Sequence, residues 1–269
     1  MSDGSTRTEA RPSTGRRIAF GILAFLFGAG ALGGLFGIGL VIGWFDNDSA
    51  GIHRVHDIGF GILYGILVAA PFFAMVRPRW VRPSLLWQIV GAAAGIVLGA
   101  VIATDPAYLF GAGALVLAVA ILVAVHPDGT RLLRARANFS VPMTVTAAAG
   151  AVPLVWFALT AARLQRTGSP LDPHVKMEHW TTMSAMAFAL VLVAFLAAAR
   201  LSGYRFTAWC AGIGVSVYGI ASMVFHRFPG SAIPYAGSEG MGWGFVALFG
   251  GLAFIALAEW GAARCGRRL

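Results

Sequence analysis

The chain has 269 residues, 58% of them hydrophobic and only 12% charged, with a formal net charge of +9. Together with a mean hydropathy of +0.77, that balance excludes an ordinary soluble domain. The positive charge does not signal nucleic acid. It follows the alternation of a membrane topology and meets anionic headgroups, so membrane lipid is the expected contact and no nucleic acid is expected.

In chain order, residues 1–16 are polar and read as a disordered cytoplasmic tail. A bilayer core about 30 Å thick needs roughly 20 apolar residues per helix. Stretches of that length run from Ile18 to Phe45, His56 to Val76, Ser84 to Thr104, Ala107 to Val125, Val141 to Ala162, His179 to Ala199, Phe206 to Phe225 and Gly240 to Trp260. Lipid cannot satisfy backbone groups, so each is expected to be a helix, and the fold class is an all-α integral membrane protein with eight transmembrane helices. The first stretch exceeds a signal-peptide core and reads as a retained span.

Fifteen of the twenty Lys and Arg residues fall on one side of this arrangement. The positive-inside rule therefore puts both termini in the cytoplasm. Lys176 is the only Lys, and Ala and Gly are abundant; that bias of GC-rich codons points to a bacterial plasma membrane. Cys210, inside the seventh stretch, and Cys265, in the tail, fit neither a structural disulfide nor a thiolate metal site.

Shifting the chain by 123 residues aligns His56 with His179, Arg77 with Arg200, Arg82 with Arg205, Gly91 with Gly214 and Pro106 with Pro229. These rare residue types predict a parallel 4+4 repeat, residues 17–136 forming one four-helix unit and 137–269 the other, about an axis along the membrane normal. Gly91, Gly95 and Gly99 form a ridge in the third stretch, and Gly33 with Gly37 and Gly61 with Gly65 repeat the spacing. Such faces let helices approach closely, within the chain or in a homo- or hetero-oligomer.

Chemistry gathers on the face opposite the arginines. Five of the six histidines lie there, His53, His56, His174, His179 and His226, with acids including Asp57 and Glu178. The dense segments are His53-Arg54-Val55-His56-Asp57 and Asp172-Pro173-His174-Val175-Lys176-Met177-Glu178-His179, each leading into the second helix of its unit. Imidazole with carboxylate is a donor set for Zn, Cu or Fe. The candidate ligands are His56, His179 and His226, helped by His53, His174, Asp57 or Glu178. Haem b would need two facing imidazoles, and His56 with His179 is the symmetric pair. His126, in His126-Pro127-Asp128-Gly129, reads as a helix-terminus residue on the cytoplasmic side. The plain alternative is a polar mouth where water meets the helix ends.

Ser222-Met223-Val224-Phe225-His226 resembles the SxxxH element of the CREST superfamily of membrane hydrolases. Over those five residues the resemblance implies a zinc site using Ser222 and His226 and cleavage of lipid amides. Three function classes remain open: a metal-dependent enzyme acting on lipid or a small molecule, a membrane scaffold or assembly protein, and a transporter or haem-binding redox protein. Proton- or ion-coupled transport predicts ionisable residues deep in the membrane, whereas Gln88 is the main polar side chain there.

Overall fold

The computed structural model describes residues 14–45, 54–134, 136–225 and 240–266, and among these no strand occurs. Eight helices are long and apolar enough to cross a bilayer: α1 (Thr14–Gly33), α2 (Arg54–Ala74), α3 (Pro83–Ala103), α4 (Ala107–Val125), α5 (Val141–Thr167), α6 (His179–Ala198), α7 (Tyr204–Val224) and α8 (Gly240–Gly266). The chain is therefore an all-α polytopic membrane protein. Its outer surface carries open apolar side chains, among them Phe110 and Leu117 on α4, Val152 and Trp156 on α5 and Phe249 on α8. Water penalises such a surface and lipid does not.

α2, α3, α6 and α7 are the interior spans, and α1, α4, α5 and α8 surround them. Close approach of α3 to α6 rests on small residues. A Cβ at Gly95 would stand 2.6 Å from the Ala189 Cα, and one at Gly99 2.8 Å from the Ala185 Cα. Two members of the glycine ridge thus face a helix of the same chain, which is how backbones approach where no hydrophobic effect drives them together. Gly91 has only the Val193 Cγ2 nearby, at 3.7 Å.

The first apolar stretch, expected as one helix from Ile18 to Phe45, is broken. α1 starts at Thr14 and ends at Gly33, and a second, short helix runs Gly39–Phe45. At roughly 1.5 Å per residue an unbroken helix would outrun the bilayer core. Phe36 takes a left-handed φ of 59°, and Gly37 and Ile38 donate their N–H groups back to the Ala31 and Leu32 carbonyls, closing the helix end. The short helix then lies on the start of α2, where a Cβ at Gly43 would meet the Arg54 carbonyl oxygen at 2.6 Å.

α2 is widened in its middle, where Gly61–Ala69 forms a π-helix, a geometry that recurs at functional sites. Gln88, buried on α3, donates to the Leu67 carbonyl within this segment at 3.1 Å. The main polar group expected in the membrane interior thus satisfies backbone.

Two faces result. On the arginine-rich face, Arg16 of α1 donates to the Ala124 and Val125 carbonyls at the end of α4, and Arg200 donates to the Gly261 carbonyl of α8. The starts of α3 and α7 meet there too, where the Thr207 hydroxyl donates to the Ser84 carbonyl at 3.4 Å. Gly203 permits this junction: its φ is 89° and a Cβ would stand 2.7 Å from the Ser84 hydroxyl. His56 and His179 open the opposite face.

Candidate metal centre

His56 lies in the first turn of α2, and His179 is the first residue of α6. Both are buried, at 1% and 9% exposure. Their imidazoles stack with ring centroids 5.2 Å apart and an interplanar angle of 29°. His174 joins them, its ring 4.7 Å from that of His56 and 5.8 Å from that of His179. One nitrogen from each of the three falls within 4.8 Å of the other two.

His179 follows His174 by five positions, too many for neighbours on one helical face. Local folding supplies the convergence. Pro173–Lys176 is a single helical turn, and Glu178 adopts a left-handed φ of 57° before α6 begins. That reversal swings His174 back over His179. Gln165, in the last turns of α5, donates to the Val175 carbonyl at 2.9 Å and ties the turn down.

Asp172 orients His174. Its Oδ1 accepts from the His174 backbone N–H at 2.9 Å and bonds the His174 Nδ1 at 3.0 Å. A carboxylate only accepts, so Nδ1 carries the proton and Nε2 keeps its lone pair for a ligand bond. Trp180 closes the cluster, its ring 4.7 Å from His56 and 5.1 Å from His174, and Phe60 lies edge-on to His179 at 5.9 Å. This aromatic wall excludes water from the imidazoles.

A polar layer braces the start of α6. Thr181 donates to Asp105 Oδ2 at 2.8 Å, and the Tyr108 hydroxyl donates to the Glu178 carbonyl at 3.2 Å and also pairs with the Thr182 hydroxyl. Burial, and then the Asp105 carboxylate, push the Glu178 carboxyl above its ordinary pKa.

The expected ligands separate as follows. His56, His174 and His179 form the cluster. Asp57 is buried with its Cβ against the short helix, 3.1 Å from where a Cβ on Gly43 would stand, and Glu178 lies close enough to Asp105 to feel its charge; neither belongs to the three-histidine group. His53 and His226, like Pro229 of the expected repeat alignment, lie outside the described residues. Ser222 is buried and donates to the Tyr218 carbonyl one turn back at 2.9 Å. Asp172 and Trp180 carry more of the geometry than the sequence reading gave them. The signal for Asp172 is Asp-Pro-His, in which an aspartate bonds the backbone two residues on.

No family model, no curated protein and no solved structure matches this chain.

Proposed function

We propose that His56, His174 and His179 bind one transition-metal ion, and that the protein is a membrane metalloenzyme working at the outer leaflet on lipid or a small molecule. The observation that carries this reading is the burial of three imidazoles with their nitrogens within 4.8 Å of one another. Three nitrogens on a tetrahedral ion with bonds of about 2.0–2.1 Å stand about 3.3 Å apart. Side-chain rotation that draws the cluster in by up to about 1.5 Å completes such a shell.

Three histidines leave a fourth position for water or substrate, as in catalytic zinc sites rather than closed structural ones. The Asp172–His174 pair supplies the outer-shell hydrogen bond that metal-binding histidines use. Haem is disfavoured because stacked rings 5.2 Å apart leave no room for a macrocycle between His56 and His179. The excess of arginine on the opposite face assigns the histidine face to the outside by the positive-inside rule, with both termini cytoplasmic.

The 4+4 repeat belongs to this reading. Two pairs of residues 123 positions apart touch each other: His56 with His179 on one face, and Ser84 with Thr207 on the other. Residues exchanged by a twofold axis meet only on that axis, so a line joining the pairs runs through the bundle from face to face. The alternation of outer, inner, inner and outer spans also recurs in each half. On this reading the metal sits on the axis, with His174 the ligand that breaks the symmetry.

The test is elemental analysis of the detergent-purified chain beside a His56→Ala, His174→Ala, His179→Ala variant of unchanged helix content. About one zinc, copper or iron per chain, lost in the variant, is the expected result. Equal metal in both proteins would remove the site.

A further inference from the structure

On the arginine-rich face a cavity of about 430 Å³ opens between the start of α1, the α2–α3 turn and the end of α4. Arg17, Arg77 and Arg79 line it, with one carboxylate, Asp128, and the imidazole of His126. The local sequence explains why three cations converge. Arg16 reaches across to the Ala124 and Val125 carbonyls, where the negative end of the α4 dipole favours a guanidinium, and so fixes its neighbour Arg17 at the rim. Pro78 opens a single tight turn over Pro78–Trp80, preceded by Arg77 in an extended conformation, which places Arg77 and Arg79 around that turn.

His126 is the floor that holds the two loops together. It is 3% exposed, and its Nδ1 accepts from the Asp128 backbone N–H at 3.1 Å. Nε2 therefore carries the proton and points at the Pro78 carbonyl oxygen, 3.4 Å away. Burial of the imidazole holds it towards the neutral form. The charge lining the cavity is thus three guanidiniums against one carboxylate, and that carboxylate's side chain is 63% exposed.

We infer that this cavity binds a phosphate group, and that the phosphate is the headgroup of an anionic phospholipid in the arginine-side leaflet. Guanidinium forks match phosphate oxygens in pairs. Basic pockets between spans at the membrane surface are suited to such headgroups, and the volume admits a phosphate with part of its alcohol. The apolar flank from Val76, Pro78 and Pro127 suits the start of a lipid's acyl chains better than a free ion. This site is independent of the histidine cluster and lies on the opposite face.

The experiment is native mass spectrometry of the full chain in detergent, incubated with phosphatidylglycerol or phosphatidylcholine, with equilibrium dialysis against inorganic phosphate as a second arm. Wild type should retain phosphatidylglycerol in preference to phosphatidylcholine. Each Arg→Gln change at 17, 77 and 79 should cut retention about fivefold, while Arg131→Gln with Arg134→Gln, on the same face outside the cavity, should leave it unchanged. Asp128→Asn should raise retention, a gain that misfolding cannot imitate. Inorganic phosphate binding with the same arginine dependence, without lipid retention, would keep the phosphate site and overturn the lipid source. Equal retention of both lipids, together with no arginine-dependent phosphate binding, would overturn the site.

Discussion

One oxygen of Asp172 holds His174 twice, through the backbone N–H at 2.9 Å and the ring Nδ1 at 3.0 Å. The first bond caps a single helical turn, and the second fixes the orientation of the ring beside His56 and His179. Asp172→Ala removes both. Loss of an outer-shell partner of this kind lowers metal affinity roughly 10- to 100-fold, which competition with a calibrated chelator measures. Wild-type affinity in the variant would detach Asp172 from the site.

The glycine ridge of α3 predicts a graded response. Gly95→Ala forces a Cβ to within 2.6 Å of Ala189 backbone, whereas Gly91→Ala finds its nearest neighbour at 3.7 Å. Overpacking of the first kind destabilises by about 1–3 kcal/mol, while the second gains slightly in helix propensity. Thermal unfolding in detergent should therefore lower the Tm of Gly95→Ala and leave that of Gly91→Ala at or above wild type. Equal effects at the two positions would contradict the α3–α6 contact.

The eight spans are legible in the sequence because 20-residue apolar runs between arginine clusters have one solution in lipid. The break between Gly33 and Gly39 is not. Hydropathy runs through Leu35, Phe36 and Ile38 without a polar residue, so only the glycines mark it. His56 and His179 stand out as histidines at span starts, and they meet. His174 looks out of register with His179 until Glu178 turns left-handed, a conformation no propensity would assign to a glutamate. Asp57 follows His56 directly, yet successive residues on a helix point about 100° apart, which carries Asp57 to the short Gly39–Phe45 helix.

Burial holds His126 below the ordinary imidazole pKa, against smaller upward pulls from the Pro78 carbonyl and Asp128, with the Arg16 charge the smallest contribution, downward. The folded chain then binds fewer protons here than the unfolded one. The stability linked to His126 is fully present above about pH 6.5 and is lost as pH falls through the lower folded value. His126→Gln should flatten the fall in Tm as pH drops below about 6.5. An unchanged acid slope would assign that slope to other groups.

Topology offers a separate check. In a chain with Cys210 and Cys265 replaced by Ser, a cysteine at Asp128 should react with an impermeant maleimide only after the membrane is opened. One at Ser169 should react in intact cells, as the arginine excess on the Asp128 side requires. Labelling in the reverse order would invert the assignment of the histidine face.

The most direct measurement of the central claim is X-ray absorption at the edge of the metal carried by the purified chain. Three imidazole nitrogens should appear at about 2.0–2.1 Å with one further light ligand and no sulfur, and the nitrogen count should fall when His174 is replaced by Ala. A sulfur shell, an oxygen-only shell, or a chain that takes up no transition metal when zinc is offered would contradict a three-histidine centre.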